Sequence, residues 1–185
     1  MKLVTVDDVK LFMEKADTDQ DGLIELIIDS VSARIEKYLN RFLLKQQYTE
    51  YFDGGYKTYF LHALPIDTTK PINVYVSNVE KIIDTDVYIY EGIGAVKFSE
   101  DTEVGVKNVK VVYTGGYESM ADVILVPNDL KYACLLQSVS DFKNRDTLGI
   151  GNITLPDGSM RIIQDTFLPQ VKNILNQYRL PPVIK

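Results

Sequence analysis

The residues whose types and spacing best suit binding of a metal ion form an acidic hexapeptide, DTDQDG, at positions 17–22. Asp17, Asp19 and Asp21 occupy the first, third and fifth positions of an EF-hand calcium loop, and a glycine follows at the sixth. The twelfth position of such a loop requires a bidentate glutamate, but Ile28 stands there. The loop therefore favours a second interpretation, in which its carboxylates lie at the start of the next helix, with Asp21 at or near the cap. The three aspartates remain the candidate metal ligands of the chain.

The single histidine and the single cysteine offer little further chemistry. His62 follows a predicted strand without a recognisable nucleophile or second metal ligand, which favours a structural or surface role. Cys134 lies on the apolar face of a predicted helix, which indicates a buried thiol rather than a nucleophile. We find no phosphate-binding loop, dinucleotide-binding glycine pattern or serine-hydrolase elbow. The sequence therefore predicts neither an enzyme nor a cofactor, and an enzyme of unrecognised type has no specific support.

Composition limits the classes of partner. The chain has 185 residues and a net charge of −6. The length suits one domain with a sizeable core. The negative net charge argues against a broad surface for binding nucleic acid and against binding to an anionic membrane. A lone Cys134 allows no intrachain disulfide and favours a reducing, intracellular origin. Asp7 and Asp8 interrupt the amino terminus before a signal peptide could form, and no apolar run is long enough to span a membrane.

Apolar spacing predicts four helices, at about 5–16, 23–42, 128–145 and 166–179. The strongest pattern is that of the second helix, where apolar residues recur at steps of three and four. Thr5 and Asp8 form a capping box for the first helix. We expect the third helix to provide the core onto which the other elements pack.

The segment between the second and third helices, about 46–116, has the composition of strands. Turn residues predict one hairpin around Asp53-Gly54-Gly55 and another around residues 91–94. Because helices and strands are segregated, we predict an α+β fold. It has a mainly helical core of about four helices, an antiparallel, hairpin-rich insertion between the second and third helices, and a single domain over residues 1–185. Tyrosines cluster in the insertion, which fits either strand propensity or a protein-contact surface.

The connection at 146–165 is long for a small domain, and such connections are usually functional or disordered. Its turn sequence Pro156-Asp157-Gly158 also fits a hairpin, in which 150–155 pairs with 159–163. If exposed, its apolar residues form an interaction patch. The candidate interaction residues are Leu148, Ile150, Ile153, Leu155, Met160 and Ile162.

Seven pieces of the chain, in order, carry a family resemblance. They are LIELIIDSVSARIEKYLNRFL (23–43), QQYTEYFDGG (46–55), LPI (64–66), VVYTGGY (111–117), VPNDLKYACLL (126–136), DFKNRDTLG (141–149) and LPQVKNILNQYR (168–179). With this layout the chain resembles the head-tail connector proteins of long-tailed phages, also called adaptor or head-completion proteins. The combination of YTGGY with VPNDLKYA is the best single piece. The calcium-like link at 17–22 departs from the family pattern.

The resemblance implies a structural virion protein that forms a ring of about twelve copies under the portal and extends the DNA channel. Its implied partners are other copies of itself, the portal protein and a stopper or tail-completion protein. DNA would pass through without sequence-specific binding, and no membrane is involved. The implied location is the neck of the virion, at the head-tail interface, after synthesis in the host cytoplasm. The alternatives are a calcium-binding or calcium-stabilised helix-loop-helix module at 17–28, or another neck or tail-completion protein.

A ring with heterologous contacts needs two different patches on each subunit. We expect these patches to lie in the strand block and in the 146–165 arm.

Overall fold

A computed structural model describes residues 2–14, 18–145, 152–155, 158–161 and 167–180, and within 152–161 it describes the backbone. Contacts group the chain into two compact units. A helical unit comprises Met1–Leu39 and Val126–Arg179, and a strand unit comprises Asn40–Leu125 and Leu180–Lys185. The fold is α+β with the strand-rich region between the second and third helices, as predicted. The assignment of one domain to residues 1–185 stays a prediction. No described helix is long and apolar enough to cross a membrane.

All four predicted helices are present. They are α1 (Val6–Phe12), α2 (Asp21–Leu39), α3 (Asn128–Asn144) and α4 (Pro169–Asn176). The capping box is confirmed, because the Thr5 side chain accepts from the Asp8 amide and the Asp8 carboxylate accepts from the Thr5 amide. The other three helices all contact α3, as expected, and α2 likewise contacts the other three, so the two long helices share the centre of this unit.

Several predicted helix ends are wrong. The second helix ends at Leu39 rather than near 42, because Asn40 adopts a left-handed backbone with φ 52°, a conformation that terminates an α-helix. The first helix stops at Phe12, and Glu14 has φ 56°. The fourth helix begins at Pro169, after Leu168 at the cap position, so the predicted start near 166 is too early.

The strand unit holds nine short strands in three sheets. They are β1 (Gln46–Phe52), β2 (Thr58–Phe60), β3 (Asn73–Val76), β4 (Val79–Lys81), β5 (Val87–Tyr90), β6 (Ala95–Phe98), β7 (Val109–Gly115), β8 (Ser119–Met120) and β9 (Val123–Ile124). The sheet orders are β1-β7-β3-β4, β2-β6-β5 and β8-β9. Every ladder is antiparallel. The inward faces share one apolar core that includes Val74, Val96, Val111 and Tyr113.

One of the two predicted hairpins is confirmed. Strands β5 and β6 pair around the turn at 91–94, with Tyr90 opposite Ala95. The hairpin around Asp53-Gly54-Gly55 is wrong, because β1 pairs with β7 and β2 pairs with β6. This turn instead binds a distant loop: the Gly54 amide lies 2.8 Å from the Gly105 carbonyl and 2.8 Å from Asn108 Oδ1.

The arm forms a separate hairpin. Its strands β10 (Asn152–Leu155) and β11 (Gly158–Arg161) pair antiparallel, with Ile153 opposite Met160. The hairpin alternative for this connection is therefore confirmed, and the remaining residues of the predicted strands, 150–151 and 162–163, lie outside the described residues. Neither strand pairs with any other described strand.

Candidate functional site

The acidic link leads directly into α2, whose first residue is Asp21. The Asp21 carboxylate lies 3.0 Å from the Lys10 ammonium, which is largely buried. Ile28, at the position where a calcium loop needs its bidentate glutamate, is fully buried in the core. The described residues, which include Asp19 and Asp21, contain no group of three or more acidic, histidine or cysteine side chains arranged to hold a metal ion. Asp17 lies outside the described residues. These contacts support the helix-start interpretation.

His62 is held in a half-buried network of the strand unit. Its Nδ1 lies 2.5 Å from Glu50 Oε2, and its backbone amide donates to Glu50 Oε1 at 3.0 Å. The Tyr113 hydroxyl also donates to Glu50 and accepts from the Ala63 amide at 2.8 Å. The hydrogen bond that the Glu50 carboxylate accepts raises the pKa of His62, although burial opposes this shift. The network ties β1, β7 and the 61–66 segment together, which is a structural role.

Glu50 is the residue of this network that sequence reasoning missed. It stands in β1 opposite Val111, whose side chain points into the core. Because directly opposite residues share a face of a sheet, Glu50 also faces inward. An acidic residue at an inward strand position requires a partner. Inward and outward side chains alternate along β1, and this alternation is the signal in the sequence. It identifies Glu50 as an inward-facing acid that can pair with His62.

Cys134 is fully buried, as predicted. Burial raises the pKa of its thiol to about 11, although hydrogen bonds with Ser32 and Ser138 oppose the shift. A thiol that stays protonated at neutral pH is a poor nucleophile. Its role is to fill space between α2 and α3.

An open cleft of about 400 Å³ lies in the strand unit. Val76, Val79 and Phe98 contribute apolar atoms, and four carboxylates line it together with Lys81. These carboxylates belong to Asp86, Glu100, Asp101 and Glu103. The lining offers no histidine or cysteine, so it holds neither a serine-histidine pair nor a thiolate site.

The YTGGY piece, residues 113–117, forms a junction within the strand unit. The Gly116 amide donates to the Pro65 carbonyl at 2.9 Å, and the Tyr117 amide donates to the Leu43 carbonyl at 2.7 Å. The Lys45 amide donates back to the Tyr117 carbonyl at 2.8 Å. Three segments that are distant in sequence therefore meet at the end of β7. The best piece of the family resemblance serves chain packing rather than chemistry.

The candidate interaction residues of the arm are described only in part. Leu148, Ile150 and Ile162 lie outside the described residues. Ile153, Leu155 and Met160 are described by backbone alone. The register places Ile153 opposite Met160 and Leu155 opposite Gly158. Directly opposite residues share a face of a ladder, so these three apolar residues occupy one face. The other face carries Asn152, Thr154, Ser159 and Arg161.

Comparison with solved structures identifies chains of the same fold. Two of them are chains in the neck of an empty gene transfer agent particle computed with C6 symmetry and in the virion of a native gene transfer agent particle, each 13% identical in sequence, with TM-scores of 0.57 and 0.58. In both, the match covers 98% of this chain and 92% of the other. A third lies in the neck of a native particle computed with C12 symmetry (TM-score 0.55, 13% identity), and the match covers 100% of this chain and 96% of the other.

Sequence-level comparison is more specific. No curated protein matches the chain. The sequence pattern of one family, described as head completion protein, matches residues 2–180. The match includes both compact units, the acidic link and the arm. The chain therefore belongs to the head completion protein family.

Proposed function

We propose that this protein is a structural component of the virion neck. Copies of it form a ring that joins the portal to the tail or to a stopper protein and extends the DNA channel. The family match over residues 2–180 carries this proposal. The similarity over nearly the whole chain to proteins from particle necks computed with C6 and C12 symmetry supports it, since both symmetries are those of rings.

Imaging the purified protein tests this function. We expect negative-stain micrographs to show rings or portal-bound collars when the protein is mixed with the portal protein of the same phage. The protein alone serves as the control, because assembly that requires portal gives monomers in that sample. A protein that stays monomeric and never binds portal contradicts the proposal.

We also propose that the arm makes a contact in the assembled neck. An isolated two-stranded hairpin is only marginally stable in water, so the β10–β11 hairpin needs a further surface to order it. No described strand of its own chain pairs with it. A neighbouring subunit or the portal supplies that surface in the assembled neck, and the apolar face with Ile153, Leu155 and Met160 makes the contact.

Deleting residues 148–163 is expected to spare folding and to abolish assembly. The melting temperature and circular dichroism should stay close to wild type, while collars disappear from micrographs. A finer comparison uses the two faces of the hairpin: Ile153→Asp should prevent assembly, and Thr154→Asp should not. If the deletion unfolds the protein, the arm belongs to the core and this assignment is wrong.

A further inference from the structure

The outer side of α2 carries an exposed stripe of mainly apolar residues. Leu23, Leu26, Ser30 and Ala33 are exposed, and their spacing of three and four residues aligns them along one side of the helix. Leu26 is 67% exposed. The core side of the same helix is occupied by other residues, including Ile24, Ile28, Val31 and Ile35. The α2 stripe, as we call these four exposed residues, is therefore a second apolar surface on a helix whose core side is already filled.

The Leu23 end of the α2 stripe has acidic surroundings. Four described carboxylates lie there, those of Asp19, Asp21, Glu25 and Asp29. Lys2 and Lys10 pair with Glu25 and Asp21. Four carboxylates against two ammonium groups leave an excess of negative charge at this end. Exposed Lys37 continues the same side of the helix at the other end, so the excess is confined to the residues around Leu23 and Leu26.

A second exposed surface lies on the three-stranded sheet of the strand unit. The register aligns Phe60, Ala95 and Tyr90 in one row, and Thr58, Lys97 and Tyr88 in the next row on the same face. Phe60 and Tyr90 are 44% and 47% exposed, whereas Ala95 is buried between them. The opposite face of the sheet, which carries Val96, packs into the core. We call the outer surface the aromatic face.

The aromatic face carries a positive charge, whereas the residues beside the amino-terminal end of the α2 stripe carry negative charges. Lys97 lies in the face, and Lys57 is next to it in the chain. Both lysines are exposed, and neither forms an ion pair with another described residue. Glu91, in the turn at the other end of the sheet, accepts a hydrogen bond from Thr68. A negatively charged apolar surface complements this aromatic and cationic one.

We propose that the α2 stripe of one copy packs against the aromatic face of the next copy in the ring. This inference rests on the proposed ring. A closed ring of identical subunits needs two different, mutually complementary patches on each copy, and these two surfaces meet that requirement in both polarity and charge. The contact buries the aromatic rings and the leucines away from water, and it brings Lys97 close to the carboxylates beside the stripe. The contact is head-to-tail, so each copy contacts one neighbour through its α2 stripe and the other neighbour through its aromatic face.

Paired cysteines test this contact. Leu26→Cys and Tyr90→Cys place one thiol on each surface, and the native Cys134 is fully buried and does not compete. In portal-bound assemblies under mild oxidation, the chain with both substitutions should form a ladder of covalent oligomers. A mixture of the two single variants should stop at dimers, because each chain then has one reactive surface. A matched control combines Leu26→Cys with Met120→Cys, which is exposed in the strand unit outside the aromatic face, and should give no ladder.

A pair of charge variants tests the electrostatic contribution to this contact. Lys97→Glu should reduce the yield of collars at low salt, whereas Lys107→Glu, which alters an exposed lysine outside the face, should not. Wild-type melting temperatures confirm that each variant folds. Collars that form normally while the double-cysteine chain gives no ladder overturn the inference and leave the ring intact. Disulfide dimers from Leu26→Cys alone also overturn it, since they indicate a symmetric contact. If wild-type chains form no collars, the proposed function fails first.

Discussion

Replacing Gly116 with alanine is expected to lower the free energy of unfolding by about 3 kcal/mol or more. A Cβ at this position would lie 2.4 Å from the Leu44 carbonyl oxygen and 2.9 Å from that of Leu43. The residue also has φ of 102°, which an L side chain rarely adopts. Both obstacles are backbone atoms, so no side-chain rotation relieves them. The loss is a large fraction of the 5–15 kcal/mol stability that is typical of a domain, and urea unfolding measures it directly.

The hydrogen bonds next to Gly116 explain why the expected loss of stability is large. Displacing the end of β7 from Leu44 also breaks the hydrogen bonds that join Tyr117 to Leu43 and Lys45. Gly92→Ala is the matched control, since a Cβ there meets no atom within 4 Å, and such a surface change usually costs less than about 0.5 kcal/mol. Equal stability of the two variants would mean that the junction at residues 113–117 is not closely packed.

Local patterns in the sequence predicted elements well, because each element is set by a few neighbouring residues. The β5–β6 hairpin follows from its turn, and the start of α1 follows from Thr5 and Asp8. The end of α2 depends on the left-handed backbone of Asn40. That conformation is permitted for asparagine but not required by it, so the apolar periodicity carried the prediction about three residues too far.

Strand pairing was less predictable, because it depends on residues far apart in the chain. The Asp53-Gly54-Gly55 turn fits a hairpin, yet β1 finds its partner in β7, where Gln46 lies opposite Gly115 and Phe52 opposite Val109. A strand chooses the partner that buries its inward side chains, and a turn sequence does not contain that information. The double glycine in YTGGY could be recognised as a turn, but not as the place where Leu43 and Leu44 approach.

The candidate interaction surfaces, too, could be predicted only in part from local sequence patterns. The apolar content of the arm could be read from the sequence, and the turn at Pro156-Asp157-Gly158 gave its hairpin. The α2 stripe was not predicted as a surface, although Leu23 and Leu26 fall outside the apolar periodicity that Ile24 and Ile28 follow. Their exposure is a property of the packed helices. The aromatic face likewise depends on the registers of β2, β6 and β5.

Removing the Glu50 carboxylate is the second large effect, and Glu50→Ala is expected to cost at least about 2 kcal/mol. Three donors lose their acceptor: the His62 amide, the His62 ring and the Tyr113 hydroxyl. The Glu50 side chain is only 10% exposed, so water does not readily replace it. Glu80→Ala is a suitable control, because this acid is exposed on the edge strand β4 and accepts a hydrogen bond from the Asn73 side chain. Its loss should be much smaller.

The same variant should change how stability depends on pH. Glu50 raises the pKa of His62 above its ordinary value of 6.5, so the folded chain binds this proton more tightly than the unfolded chain. The contribution of the pair is therefore complete below pH of about 6.5 and is lost as pH rises through the folded-state pKa. Burial and the Glu50 charge raise the pKa of Tyr113, so its hydroxyl stays protonated throughout this range. Urea unfolding of wild type should show stability falling as pH increases from about 6 to 9, and subtracting the Glu50→Ala curve isolates the pair from other titrating groups. A difference between the two curves that stays constant with pH would show that the raised pKa of His62 does not arise from Glu50.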